Sequence, residues 1–469
     1  MFPVKVPRRS TSEQIVAEEA EEKVPRQRGF RSSVGVLAGG TSIGHALTAA
    51  AMPVVSRLYS PEDFRILATF TAIVSILSVA MCLRLDVAVP LPDSDADAAA
   101  LLALALGSCL LISIPLLILM ITAPGEVSAL LRRTELKGYL WAVPISAMLA
   151  GWNSALQHWF VRRRAFEYLA ASRVSQSFAA AACQIGSGWA GIVPSGLLLG
   201  QVLNSGAGAA LLGVKLVGTE MGALRAVTIE RLRSVLATYS RFPRISTIES
   251  LANSAAIHAP IIVIGATAAA PEAGSLSLAM FSMQMPLSLL GNAVSQVYLS
   301  RAPEEHRTGR LGTYTAGVIV HLLEMGLGPL CFVGILGPEL FQFVFGAAWA
   351  RSGELVMWMT PWFAMQFVAV PVSMALHITG WQAAALWLQV FGLLVRVGAT
   401  WLAPVRAISE CYAVSGFVSY ALYAAVVMRA ASVAPLEIAR RAAPAAKMLA
   451  AWIATAVAGK LAVQYLRAN

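Results

Sequence analysis

Long apolar stretches separated by short polar segments recur along almost the whole chain. Most are about 18–25 residues long, which is enough for a helix to cross a hydrocarbon core roughly 30 Å thick. They are rich in Ala, Leu, Val and Gly and lack the two-residue alternation of a membrane β-strand. The pattern therefore predicts an all-α integral membrane protein that crosses the bilayer many times.

The apolar stretches predict about twelve transmembrane helices. They are expected at about 34–57, 65–90, 97–122, 138–161, 168–190, 195–217, 245–268, 273–299, 311–336, 354–377, 381–403 and 407–429. A further apolar segment, 445–466, contains Lys460. It is either an interfacial helix or an extra transmembrane helix, and the flanking Arg440 and Arg441 favour a position along the inner face.

The longest internal linker divides the predicted spans into six and six. A faint repeat crosses it, because Pro61-Glu62 and Pro271-Glu272 each stand between the first and second helix of a half. Two six-helix lobes around a central cavity are therefore predicted. The expected divisions are a cytoplasmic disordered tail (1–33), an N-terminal lobe (34–217), a cytoplasmic linker (218–244), a C-terminal lobe (245–430) and a C-terminal tail (431–469).

Composition and charge support a membrane protein and set its orientation. The chain has 469 residues, of which 57% are hydrophobic and 13% charged, far from the soluble range of about 25% charged. The net charge of +10 comes from loop arginines rather than from a nucleic-acid site. With the N-terminus in the cytoplasm, the cytoplasmic loops hold about three times as many Lys and Arg as the outer loops, which favours that orientation.

No catalytic, cofactor or metal motif emerges from the sequence. The run Gly186-Ser187-Gly188-Trp189-Ala190-Gly191 matches a dinucleotide fingerprint in letters, but it ends a membrane span and no strand precedes it. The five cysteines are scattered singly and the six histidines lack metal-binding spacing. We therefore expect no cofactor, no metal and no enzymatic activity.

Charged residues inside the predicted spans are the candidate functional residues, because a charge at mid-membrane costs about 2.5–3.5 kcal/mol. Arg396 is the deepest and is the first candidate for binding an anionic substrate; its alternative is an ion pair with Glu249 or Glu324 of another helix. Arg84 and Asp86 are close to the inner end of the second span, where i and i+2 side chains point to different faces. The other candidates are Arg57 and Arg173, which could instead snorkel to the interface, and Glu249. Pairing of His321 with Glu324 is expected within the ninth span.

Several motifs in order along the chain resemble the Wzx-type oligosaccharide flippases of the MOP superfamily. They are Gly40–Gly44, Pro53–Phe64, Leu83–Pro92, Arg241–Pro243, Met285–Gly291, Ser295–Val297, Gly337–Phe341, Val344–Gly346 and the segment from Trp349 to Trp362. The resemblance covers about residues 34–430 and leaves out the charged N-terminal tail and the 445–466 segment.

This resemblance implies a MATE-like fold and a flippase of the bacterial inner membrane. The implied substrate is an undecaprenyl-pyrophosphate-linked oligosaccharide for exopolysaccharide, capsule or O-antigen synthesis, carried by alternating access. Membrane lipid, a polysaccharide polymerase and a chain-length regulator are the implied partners. Two alternatives stay open: a multidrug or small-molecule cation antiporter of the same superfamily, which needs mid-helix acids, and a polymerase or ligase enzyme, which needs a large outer loop.

Overall fold

The computed structural model describes residues 27–130, 134–225, 227–267 and 271–468, and these ranges contain helices and no strand. The predicted disordered tail falls mostly on residues 1–26, which lie outside the described residues. The prediction of an all-α protein is confirmed for the part of the chain that is described.

The helices up to residue 225 form one group, which we call the N-terminal lobe. They are α1 (Gln27–Leu58), α2 (Pro61–Met81), α3 (Leu85–Ala88), α4 (Asp95–Thr122), α5 (Pro124–Leu130), α6 (Ala142–Arg162), α7 (Phe166–Trp189) and α8 (Ser195–Arg225). Their interior is a continuous apolar cluster that includes the fully buried Trp159, Phe70 and Leu101. The short helix α9 (Ile229–Thr238) in the linker adds Val235 to that cluster.

The helices from residue 247 to residue 430 form the C-terminal lobe. They are α10 (Thr247–Thr267), α11 (Glu272–Arg307), α12 (Leu311–Leu322), α13 (Gly328–Ile335), α14 (Gly337–Phe345), α15 (Ala350–Ala369), α16 (Ala375–Ile378), α17 (Gln382–Leu402) and α18 (Ile408–Ala430). A π-helical turn, Leu323–Leu327, joins α12 to α13, so that the two continue one span. Two helices follow the lobe, α19 (Pro435–Arg441) and α20 (Ala443–Ala468).

A helix lies at each of the twelve predicted spans. By length and hydropathy, seven helical segments of the described chain could cross a membrane: Pro61–Met81, Asp95–Thr122, Ser195–Gly222, Leu311–Ile335, Ala383–Leu402, Val405–Ala430 and Ala446–Tyr465. Two of the helices below that threshold, α1 and α7, carry polar side chains toward the space between the lobes. Their lower hydropathy therefore follows from their position inside the protein rather than against lipid.

Local sequence explains where the second span begins and ends. Ser60 caps α2 by accepting from the backbone N–H of Asp63, whose carboxylate accepts in return from the Ser60 N–H, and Pro61 occupies the first turn. The helix stops at Met81, because Leu83 and Arg84 adopt left-handed backbone conformations with φ of 50° and 57°. The predicted span 65–90 is thus broken, and the short helix α3 places Asp86 on a separate axis.

The last helix, α20, packs beside the span 311–335. The Trp452 ring meets Phe332 edge-on, with ring centroids 5.5 Å apart, and Lys460 donates from Nζ to the backbone oxygen of Ile335 at 3.3 Å. Residue numbers rise together along the two segments, so α20 runs parallel to α13 over at least two turns. Because α13 belongs to a spanning helix, this packing favours the extra transmembrane helix over a helix lying flat on the inner face.

Candidate cavity between the lobes

A cavity of about 280 Å³ lies between the two lobes and is lined by helices from both. The N-terminal lobe contributes α1, α2, α7 and α8, and the C-terminal lobe contributes α10 and α11. The polar residues of the lining are Thr48, Thr71, Ser177, Gln184, Gln201, Asn204, His258 and Ser277. Hydroxyl, amide and imidazole groups therefore face a space that is otherwise lined by Ala, Leu, Ile, Val, Met and Phe.

The polar lining comes from single faces of otherwise apolar helices. Ser177 and Gln184 are seven residues apart on α7, and Gln201 and Asn204 are three apart on α8, spacings that place each pair on one helix face. A Cβ at Gly200 would overlap the side chain of Gln184, so a glycine there lets the glutamine fit between α7 and α8. The described lining holds no carboxylate, and its one ionisable side chain is that of His258.

The lobes meet tightly at the end of the cavity that holds Ser56 and Trp349. Trp349 donates from Nε1 to the backbone oxygen of Ser56 at 2.7 Å, and its ring packs edge-on against Phe64 with centroids 4.8 Å apart. Arg57 donates to the backbone oxygen of Phe343 at 2.9 Å. We call these five residues the inter-lobe seam; it closes the cavity at this end.

The first turns of α2 and α11 also meet near the seam. A Cβ at Gly274 would overlap the backbone carbonyl of Pro61, so glycine is needed for the two helices to approach so closely. Glu62 and Glu272, the acids of the predicted repeat, follow the prolines at the start of these two helices. Each pairs with an arginine of its own lobe, Glu62 with Arg65 and Glu272 with Arg351.

Arg351 joins three helices of the C-terminal lobe at this end. Its guanidinium contacts Glu272 of α11 at 2.8 Å, Glu354 of α15 at 2.9 Å and Glu410 of α18. A charged network of this kind, with several carboxylates on one arginine, is stronger than isolated surface pairs. It holds the helix ends of the lobe together.

The opposite end of the N-terminal lobe is tied by arginines of the predicted cytoplasmic loops. Arg162 and Arg163 both bond Asp95, at 2.8 and 2.7 Å, and Arg163 also bonds Glu220 at 2.7 Å. These contacts join the ends of α4, α6 and α8. We call this end the arginine-rich face. It includes Arg310 of the C-terminal lobe, because α11 begins beside Pro61 at the seam and ends at Arg307, at the opposite end of the helix.

Asp86 lies in the interior of the N-terminal lobe and does not pair with Arg84. Its Oδ2 accepts a hydrogen bond of 2.6 Å from Ser154 Oγ of α6, and His158 Nδ1 is 3.8 Å from the same oxygen. Asp86 is 3% exposed, and within the described ranges Oδ1 has no hydrogen-bond partner. The structure thus brings Asp86 to Ser154 and His158, a cluster that the sequence motif alone did not identify.

Arg173 is exposed and points along the cavity-lining face of α7. It stands four residues before Ser177 and eleven before Gln184, spacings that keep all three on one side of the helix. Its guanidinium donates to Gln157 Oε1 of α6 at 3.4 Å. A positive charge therefore stands beyond the lining residues, toward the arginine-rich face.

Arg396 is half-buried between aromatic rings of the C-terminal lobe. Its guanidinium carbon lies 5.4 Å from the ring centroid of Trp362 and 5.3 Å from that of Tyr420. Both are within the range of cation–π attraction. Among the residues the structure describes, no carboxylate forms an ion pair with Arg396, and its Nε is buried without a hydrogen-bond partner.

The predicted charged residues are dispersed rather than gathered on the cavity wall. None of Arg396, Arg84, Asp86, Arg57 and Arg173 is among the lining residues; Arg57 is in the seam and Arg173 is one turn beyond the lining. The side chain of Glu249 lies outside the described residues. The expected His321–Glu324 pair is also replaced, since His321 Nδ1 is 2.8 Å from the backbone oxygen of Gly317.

The missed lining residues are neutral and polar, and they carry a periodic signal. Polar side chains three, four or seven residues apart on an apolar helix mark a face turned away from lipid. The candidates from the sequence were all charged residues, so they did not include this polar face of α7 and α8.

Comparisons with known proteins agree on the family and the fold. The model of a family described as "Polysaccharide biosynthesis protein" matches residues 54–354. No curated protein matches the chain. The solved structure of the lipid II flippase MurJ in an inward closed conformation is 12% identical, with 88% of this chain and 91% of that chain covered at a TM-score of 0.70.

Two further solved structures belong to the MOP superfamily. A multidrug resistance MATE family transporter in an inward-facing conformation is 13% identical, with 84% of this chain and 98% of that chain covered at a TM-score of 0.63. A MOP superfamily transporter from Pyrococcus furiosus, whose binding pocket is described as reversed in polarity, is 14% identical, with 85% and 95% covered at a TM-score of 0.54. The predicted MOP-type fold is confirmed.

Proposed function

The chain belongs to the polysaccharide biosynthesis protein family, and we propose that it is a flippase that moves undecaprenyl-pyrophosphate-linked oligosaccharides from the inner to the outer leaflet of a bacterial inner membrane. The observation that carries this proposal is the character of the cavity. Its polar lining consists of hydroxyl, amide and imidazole groups, with no carboxylate among the described lining residues. Such groups hydrogen-bond sugar hydroxyls without a charge that would repel a pyrophosphate.

The cationic residues near the cavity suit the phosphate end of the substrate. Arginine stays charged and presents paired donors to phosphate oxygens, and Arg173 is placed where a lipid-linked pyrophosphate would enter from the arginine-rich face. The polyprenyl chain stays in the bilayer while the sugars occupy the cavity. In the predicted orientation, with a cytoplasmic N-terminus, the arginine-rich face is cytoplasmic.

Transport by this route requires the two lobes to separate. A cavity of about 280 Å³ is below the roughly 300–1,000 Å³ of sites for drug-sized ligands, so an oligosaccharide can enter only when the lobes move apart. Opening at the arginine-rich face would admit substrate, and breaking the seam would release it on the other side. An ion gradient or removal of the product sets the direction of net transport. A polymerase and a chain-length regulator are proposed as downstream partners.

The test is the distribution of lipid-linked repeat units in a strain that lacks the gene. We expect these units to accumulate in the inner leaflet and to be cleared by wild-type protein but not by Ser277→Trp, which fills the cavity. The control is Ser42→Trp, at an exposed position of α1, which should restore export. A deletion strain with no accumulation but with greater sensitivity to cationic drugs would contradict the proposal and favour an antiporter.

A further inference from the structure

A second concave site lies outside the C-terminal lobe, between α11 and α12, and it is separate from the cavity. It is open to the outside, has a volume of about 530 Å³ and is almost entirely apolar. Its lining residues are Val294, Val297, Thr313, Tyr314, Gly317, Val318, His321, Leu322 and Met325. We call it the α11–α12 groove.

The length of the groove matches half of a bilayer. From Tyr314 to Met325 the helix advances eleven residues, or about 16 Å at 1.5 Å per residue. One leaflet of a hydrocarbon core roughly 30 Å thick is about 15 Å deep. The groove therefore extends from the arginine-rich end of α12 to about the middle of the membrane, the depth that one lipid chain occupies.

Two arginines stand at the end of the groove that is nearest the arginine-rich face. Arg301 is exposed and follows the lining residue Val297 by four residues, which places it one turn farther along the same face of α11. Arg441 is also exposed, and its Nη1 is 3.8 Å from the position that a Cβ on Gly317 would take. The other amino nitrogen of Arg441 bonds Glu437 at 2.7 Å, which fixes the guanidinium over this end of the groove.

We propose that the α11–α12 groove binds an anionic glycerophospholipid of the leaflet on the arginine-rich side. One acyl chain lies along Val318, Leu322 and Met325, and the headgroup phosphate lies between Arg301 and Arg441. The apolar length of the groove fits an acyl chain, and its cationic end fits the headgroup phosphate. Basic pockets between transmembrane helices bind anionic headgroups in the same way. A bound lipid there would tie α19, which carries Arg441, to the C-terminal lobe.

The experiment compares lipids retained by purified protein in native mass spectrometry after exchange into phosphatidylglycerol or phosphatidylcholine. We expect phosphatidylglycerol to be retained preferentially by wild type and to be lost from Gly317→Phe, whose ring fills the groove. Gly213→Phe is the matched control, since a Cβ at Gly213 meets nothing within 4 Å and Gly213 does not line the groove, and it should retain the lipid. Arg301→Gln and Arg441→Gln should each weaken retention by about fivefold, the effect of one arginine near an anionic surface.

The assignment to a phospholipid is overturned if both lipids are retained equally, or if Gly317→Phe and Gly213→Phe behave alike. It is also overturned if phosphatidylglycerol is not retained but added undecaprenyl phosphate is, because the groove would then hold the chain of the proposed substrate. A variant that does not fold is recognised by its elution profile, and the two glutamine variants at exposed positions then provide the test.

Discussion

Trp349 of the C-terminal lobe donates its indole N–H to the backbone carbonyl of Ser56 in the N-terminal lobe, across 2.7 Å. The indole is 1% exposed, so water does not compete for this bond. The carbonyl belongs to the last turn of α1, eight residues beyond Thr48 and five beyond Ala51 of the cavity lining. The contact therefore couples closure of the seam to the position of a helix that lines the cavity.

Trp349→Phe should favour opening at the seam. The change removes the donor but keeps an aromatic ring against Phe64, and loss of one such bond costs about 1 kcal/mol, or about fivefold in the ratio of open to closed molecules. We expect a cysteine placed at Ser277 to be labelled faster by a membrane-impermeant maleimide added to intact cells. Trp401→Phe, at a residue 80% exposed, is the control; equal labelling of the two variants would contradict a role in closure.

The course of the C-terminal helix is a second prediction. Because α20 lies parallel to α13 and meets the length and hydropathy of a span, we expect it to cross the membrane and to place the C-terminus opposite the N-terminus. A reporter active only in the periplasm, fused after Asn469, should be active if the N-terminus is cytoplasmic. An inactive reporter, together with cytoplasmic labelling at Thr228, would instead support the interfacial helix.

The positions of the spans could be predicted from the sequence, because the thickness of the bilayer fixes how long an apolar stretch must be. The predicted span 381–403 and α17, Gln382–Leu402, illustrate this. The break after Met81 could not be predicted, since Leu83 and Arg84 adopt left-handed conformations that their side chains do not favour. Such a conformation is imposed by packing of the surrounding helices rather than by local sequence.

The functional residues were harder to predict than the spans, because a cavity depends on which faces of distant helices meet. The depth of Arg396 could be read from the sequence, but its neighbours Trp362 and Tyr420 come from two other helices. The same holds for Asp86 and Ser154, which are 68 residues apart. Amphipathic periodicity could have revealed Gln184 and Asn204, since it needs only one helix at a time.

Asp86 is predicted to stabilise the N-terminal lobe through Ser154. Asp86→Ala leaves the partly buried hydroxyl of Ser154 without its acceptor, which costs about 1–3 kcal/mol, so the midpoint of thermal unfolding should fall. Ser154→Ala should also lower it, because the buried carboxylate then loses a donor. Asp93→Ala, at an exposed carboxylate, is the control, and equal midpoints for Asp86→Ala and Asp93→Ala would argue against a structural role.

The last prediction concerns Arg396, the first candidate from the sequence for binding an anionic substrate. A charge within a span is costly, and no carboxylate among the described residues pairs with this one; contact with Trp362 and Tyr420 returns only about 0.5–2 kcal/mol. Arg396→Met removes the charge and keeps a long side chain against the rings. If the charge serves the substrate, thermal stability should be kept or raised while polysaccharide export is lost, and Arg396→Lys should retain part of the export. Export at the wild-type rate by a folded Arg396→Met protein would rule out the substrate role. A large fall in thermal stability would show that the arginine mainly supports the packing of α15, α17 and α18.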